Sequence, residues 1–156
     1  QLCDKHITKD DIVVGFSASG TTPFVLSILK HCRKAGIPTG CIVNNPHSPI
    51  AEWADYEVEV ITGPEFVTGS TRMKAGTSQK LILDMISTTL QIRQGRVEGN
   101  KMVNAKLINH KLIDRACRIF MERNSEYKDY EEVRQLILKA GSVKKAEMMI
   151  SRHFDM

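Results

Sequence analysis

The sequence has no apolar run near the ~18 residues that a membrane-spanning helix needs, and no stretch patterned like a signal peptide. It has no C-x-x-C pair: Cys3, Cys32, Cys41 and Cys117 lie far apart. Reduced, unbridged thiols of a cytosolic protein are therefore expected, and no membrane contact. Five histidines show no metal-ligand spacing, so no metal site is expected. A P-loop, a G-x-G-x-x-G fingerprint and the chain order of a Ser-His-Asp triad are all missing. Aromatics are scarce, at 6% of residues, which argues against a surface that stacks bases.

What remains is ordinary globular composition. Of 156 residues, 42% are hydrophobic and 26% charged, enough for one modest domain with a small appendage. The net charge of +4 is unevenly placed. Residues 1–100 hold 10 Lys+Arg against 10 Asp+Glu, and residues 101–156 hold 12 against 8. In that last third the cations alternate with acids, the pattern of solvated helical faces, so no nucleic-acid partner is expected.

The apolar run from Ile12 to Phe16 ends in small residues and reads as a buried parallel strand entering a tight turn. Next, "TTPFVLSILKHCRKAG" reads as a helix, with Thr22 as its cap, Pro23 at its first position and Gly36 as its stop. A second strand around Cys41 to Val43 ends at Asn44-Asn45-Pro46. Strand, helix, strand in this order predicts a βαβ unit in a parallel sheet. The alternation in "ADYEVEVIT" predicts a half-exposed strand at a sheet edge.

A long helix follows, to about Arg93, with Gly95 as its stop. Lys80, Asp84, Ser87, Thr88 and Gln91 form its polar stripe, opposite Leu81, Ile82, Met85 and Ile86. The segment "GRVEGNKMVNAK" reads as a link. Three short amphipathic helices follow, with Gly141 ending the second and Ser142 capping the third. The expected organisation is residues 1–100 as an α/β domain and 101–156 as a small helical one. Three strands are few for a doubly wound sheet, which has about five or six. The chain also opens on "QLCDKHITKDD", without an initiator Met and like the end of a helix. The first half of the sheet is therefore expected upstream of Gln1.

Two segments carry candidate chemistry. "SASGTTP" sits where open α/β sheets bind ligands, with hydroxyls on Ser17, Ser19, Thr21 and Thr22, a close backbone approach at Gly20, and a helix N-terminus that favours an anion. These residues either bind phosphate or simply turn and cap the chain. In "TGSTRMK", Ser70 or Thr71 can cap the long helix, leaving Arg72 and Lys74 in its first turn against the helix dipole. Either a bound anion or a salt bridge to Glu65 would relieve that. Glu65 is the one acid in this polar stretch, a conceivable general base, but no second carboxylate lies close by in sequence.

The run "GPEFVTGSTRMKAGTSQKLILDMISTTLQIRQGRVEGNKMVNAK" resembles the signature of the N-acetylmuramic acid 6-phosphate etherases, and "VVGFSASGTTPFV" resembles their second sugar-phosphate loop. The resemblance extends through "NHKLIDRA" to the C-terminal helices. It implies a three-layer αβα sugar isomerase (SIS) fold, here its second half only, plus a UBA-like three-helix bundle. It also implies a cytoplasmic homodimer that needs no metal or organic cofactor. The implied reaction cleaves the D-lactyl ether of N-acetylmuramic acid 6-phosphate, by elimination and then hydration. The products would be N-acetylglucosamine 6-phosphate and D-lactate, in the recycling of cell-wall sugar.

Carried over by position, Ser17, Ser19, Gly20 and Thr22 match the family's phosphate turn, and Ser70, Thr71, Arg72 and Lys74 its signature loop. Thr21 stands where an Arg is usual, Asp84 where Asn is common and Asn104 where Asp is common. The family's two acid/base glutamates precede the region that aligns, so no catalytic residue is expected in this chain and no turnover by it alone. The alternative is a sugar-phosphate-sensing regulator resembling the glucokinase regulatory protein, which shares the fold and a similar signature.

Overall fold

The computed structural model describes residues 7–154, with side chains to Ser151. The first six residues of the helix-like opening, Cys3 among them, lie outside the described residues; the rest of it, Ile7 to Asp11, forms a turn and no helix, with the Asp11 amide on the Thr8 carbonyl at 3.2 Å. The chain divides into two compact units, Gln1–Met85 and Ile86–Met156.

In the first unit, β1 (Val13–Ser17), β2 (Thr39–Val43) and β3 (Tyr56–Glu59) form a parallel sheet in that order. The register aligns Ser17 with Val43 and Val43 with Glu59, so the three carboxyl ends share one edge. The predicted βαβ unit is thus present. β2 is central and buried at all five residues, which suits its run of small and branched side chains. β3 lies at an edge as expected, but the expected half-burial fails: all four of its residues are exposed.

Helix α1 (Pro23–Lys34) covers one sheet face, where Leu29 packs with Cys41, Val43 and Ile50. A Cβ on Gly15 would stand 2.5 Å from Val25 Cγ1, so glycine there admits the helix. Pro23 opens α1 as predicted and the chain turns out at Gly36, but Thr22 makes no side-chain cap. Its hydroxyl pairs with Ser17 instead.

Helix α2 (Lys74–Arg93) begins three residues later than Thr71, so neither Ser70 nor Thr71 caps it and Arg72 precedes it. Its amide donors at Lys74 and Ala75 are met from Glu65, nine residues before the helix. Only Ala75 and Ile82 of α2 are buried, and Leu81, Met85 and Ile86, expected opposite the polar stripe, stay exposed. On the stripe itself, Lys80 donates to Asp84 at 2.6 Å.

In the second unit, the segment read as a link forms a small antiparallel hairpin of β4 (Val97–Glu98) and β5 (Lys101–Met102). Gly99, at φ 59°, makes its turn. The three predicted helices follow as α3 (His110–Arg123), α4 (Tyr130–Ala140) and α5 (Val143–Phe154). Asn109 and Asp129 cap α3 and α4 with side-chain oxygens. Gly141 ends α4 in the left-handed conformation, and the Ser142 hydroxyl accepts the Lys145 amide at 3.3 Å. Their shared core holds Val103, Cys117, Phe120, Val133, Ile137 and Ala146. Cys32, Cys41 and Cys117 are buried free thiols. Among the described residues, no helix is long and apolar enough to cross a membrane.

Candidate functional site

A cleft of about 270 Å³ opens at the carboxyl edge of the sheet, where the loops after β1, β2 and β3 converge. The first loop contributes Ala18, the second Asn44 and Asn45. The third contributes Thr62 to Glu65 and, further along, Ser70 and Thr71.

The turn after β1 is held by its own hydroxyls. Ser17 Oγ lies 2.7 Å from Thr22 Oγ1 and accepts the Gly20 amide at 3.0 Å. Ser19 Oγ lies 2.9 Å from Thr21 Oγ1 and accepts the Thr21 amide at 3.3 Å. Ser17 and Gly20 are buried; Ser19, Thr21 and Thr22 are exposed. Gly20 sits at φ 69°, and a Cβ there would fall 2.1 Å from Ser48 Cβ. Only glycine fits that backbone, and its carbonyl accepts the Ile50 amide at 3.1 Å.

The loop between β3 and α2 carries the second set. Glu65 Oε2 accepts the Lys74 amide at 3.0 Å and Glu65 Oε1 accepts the Ala75 amide at 3.1 Å. Lys74 Nζ donates back to the Pro64 carbonyl at 2.9 Å. The Lys74 amide is the main cause of a Glu65 carboxyl held below the usual glutamate range; the Ala75 amide and the nearby ammonium add to it, and partial desolvation opposes it. The carboxylate therefore complements the positive end of α2 from inside the molecule.

Glu65, Ser70 and Thr71 line the cleft, and Lys74 is bonded to its wall through Glu65 and Pro64, but neither Arg72 nor Lys74 lines the cleft itself. Those two line an open groove with Thr62, Met73, Thr77 and Leu81. The turn after β1 reaches the cleft through Ala18, beside its hydroxyls.

Asn44 is the residue the sequence analysis passed over. It is 6% exposed and ties three elements together. Its Nδ2 donates to the Val60 carbonyl at 2.9 Å and to Ser78 Oγ at 2.8 Å, while its Oδ1 accepts from Gln79 Nε2 at 2.9 Å. Asn45 Nδ2 donates to the Ala18 carbonyl at 2.8 Å, joining the first two loops. The sequence signal was available: polar amides directly after a buried strand, at the edge where Ser17 ends its own. Glu65 is the only carboxylate among the described residues that line the cleft. No group of three His, Cys, Asp or Glu is placed to hold a metal ion among the described residues.

A parallel sheet whose carboxyl-edge loops gather around one cleft defines an α/β protein with its cleft where open sheets usually take ligands. The chain belongs to the SIS domain family, whose model matches residues 3–88. It is 54% identical over 153 residues to the N-acetylmuramic acid 6-phosphate etherase of Bacteroides thetaiotaomicron, covering 98% of this chain and 54% of that protein. The etherase of the same name from Porphyromonas gingivalis is 54% identical over 145 residues, covering 92% and 52% respectively. That of Yersinia pestis is 50% identical over 121 residues, covering 78% and 41%. The chain thus spans about half the length of the curated relatives it matches.

Proposed function

We propose that this chain supplies the sugar-phosphate-binding part of an N-acetylmuramic acid 6-phosphate etherase. The observation that carries the reading is 54% identity over 153 residues to a protein of that name. The cleft suits it, since serine and threonine hydroxyls with backbone amides are the usual partners of a phosphate or sugar hydroxyl. Ser17, Ser19, Gly20, Thr21 and Thr22 form one ligand loop, and Ser70, Thr71, Arg72 and Lys74 the other, with Glu65 between them.

The reaction is cleavage of the D-lactyl ether. Elimination needs a base to remove a proton from the sugar carbon beside the ether-bearing one, and an acid to protonate the departing lactate oxygen. Water then adds to the resulting double bond to give N-acetylglucosamine 6-phosphate. The two glutamates that the family resemblance implies for these steps precede the matched region, so the chain's share is binding and orientation.

On the same reading the sheet belongs to a three-layer αβα domain, residues 1–100, followed by a UBA-like bundle, residues 101–156. The working unit is a cytoplasmic homodimer, without metal or organic cofactor. The test is D-lactate release from N-acetylmuramic acid 6-phosphate by the protein at its natural length. Stoichiometric D-lactate and N-acetylglucosamine 6-phosphate are expected; a folded dimer that releases neither overturns the reading. The 156-residue chain alone is expected to release none, and measurable lactate from it would refute that part.

A further inference from the structure

We infer that Glu65 is the positioning residue of the Ser70–Thr71 wall, pinning its loop to the start of α2, and that it moves no proton of the substrate. The inference deepens the sugar-phosphate reading and rests on it for the identity of the ligand.

The Thr71 carbonyl accepts the Gly76 amide of α2 at 2.9 Å, which ties the far end of the loop; the stretch from Gly63 to Gly69 has fewer ties among the described residues. Gly63 and Gly69 bracket it at φ 68° and 86°, each with open space where a side chain would stand. Between them Phe66 is 92% exposed and Val67 57% exposed, so no apolar anchor enters the core. The Ser70 amide donates to the Val67 carbonyl at 3.1 Å, a bond internal to the loop. Among the described residues, the ties from 63–69 to the helix are the two Glu65 carboxylate bonds and the Lys74 ammonium on the Pro64 carbonyl. These close a ring of chain with Ser70 and Thr71 inside it.

Each oxygen of Glu65 accepts a backbone amide, a geometry that holds the ionised form and makes the carboxylate a weaker base. The positive end of α2 is also already filled. A ligand's anionic group is therefore received by the hydroxyls and amides around the cleft, and the α2 terminus orients the wall. The sequence position of Glu65, within the signature run, had left a proton-transfer role open; its hydrogen bonds favour the positioning role.

The test compares Glu65→Ala, Glu65→Gln and Glu65→Asp in the natural-length protein. Three quantities are read: amide hydrogen exchange from Ser70 to Ala75, the Kd for N-acetylglucosamine 6-phosphate, and kcat with KM for lactate release. Removing the pin in Glu65→Ala is expected to speed exchange at Lys74 and Ala75 by about tenfold or more. It should raise Kd and KM by about tenfold, while kcat at saturation falls by less than that. Glu65→Gln keeps one acceptor oxygen, sets its NH2 against the other amide and cannot take a proton; it is expected to recover part of the Kd and of the exchange protection. The inference is overturned if Glu65→Gln keeps Kd yet loses about 100-fold or more in kcat, the mark of a lost general base. It is equally overturned if Glu65→Ala leaves exchange at Lys74 and Ala75 unchanged. Should the wild-type protein bind no hexosamine phosphate, the ligand reading fails, and the exchange comparison still decides whether Glu65 pins the loop.

Discussion

Gln79 of α2 donates through Nε2 to Asn44 Oδ1 at the end of β2, over 2.9 Å, and Asn44 passes two further bonds to Ser78 and Val60. One buried side chain thus holds the carboxyl end of the sheet to the first turns of α2. Asn44→Ala would leave the Val60 carbonyl and the Gln79 amide short of a partner in a partly buried setting. The expected loss is about 2 kcal/mol, because stranded polar groups cost more than the bonds themselves contribute. Urea unfolding of the chain measures it. Asn44→Asp, which keeps the acceptor for Gln79 but loses the donor, should also destabilise.

The turn after β1 has little freedom at Gly20. Gly20→Ala combines a left-handed φ of 69° with a contact of 2.1 Å to Ser48 Cβ. The backbone term alone is about 1–2 kcal/mol, and the clash adds to it. Ser48→Ala is expected to act in the other direction. Ser48 is 3% exposed, and its buried Oγ has no hydrogen-bond partner among the described residues. Deleting that hydroxyl should stabilise the chain by about 1 kcal/mol. Thermal melts of the two variants should move to opposite sides of wild type, and any destabilisation by Ser48→Ala would argue that the hydroxyl has a partner in solution.

Much of this architecture was legible in the residues. Pro23 and Gly36 bound α1 because proline fits a helix start and glycine tolerates the left-handed exit. Gly141 and Ser142 mark helix ends by equally local chemistry, whereas the Asn109 and Asp129 caps emerge only in the structure. What failed depended on distant partners. The start of α2 is set by Glu65 folding back over nine residues, which no local cap pattern reveals. Thr22, a good cap by type, spends its hydroxyl on Ser17. Asn44 read as a turn residue because its three partners are 16 to 35 positions away. The alternation of β3 was real, but alternation reports a pattern and not what covers it.

Acid should weaken the first unit through Asp55. Its Oδ2 accepts the Thr39 amide at 2.9 Å and the Thr39 hydroxyl at 2.8 Å. These bonds, the amide first, hold the carboxyl below its ordinary value of 3.8, with Arg33 adding to them against partial desolvation. A folded-state value below the unfolded one means the folded chain binds fewer protons. The stabilisation is therefore complete above the ordinary value, declines as pH falls beneath it, and is gone below the folded value. Glu57 works in the opposite sense, since its hydrogen bond to Glu59 raises it. The readout is accordingly the difference between wild type and Asp55→Asn in urea midpoint, from about pH 6 down to about pH 3. That difference should shrink as the pH drops; a constant gap would remove Asp55 from the account.

In the helical unit, apolar packing and charge make separable predictions. Phe120 is fully buried and meets Tyr127 edge-to-face at 5.3 Å between ring centres. Phe120→Ala should cost about 3–5 kcal/mol, from lost burial and the cavity left behind. Arg123 looks at least as well connected, with Glu147 at 2.6 Å and Glu98 at 2.7 Å. Yet its side chain is 31% exposed, and Glu98 keeps Lys144 at 3.0 Å when Arg123 is gone. Solvent screening and that spare partner hold the expected cost of Arg123→Ala to about 1 kcal/mol. Three short helices around one small core have little stability in reserve. Phe120→Ala should therefore lose amide-exchange protection across residues 110–151 of the whole chain, while Arg123→Ala keeps most of it. The reverse order would mean that the charge network, not the Phe120 core, holds these helices together.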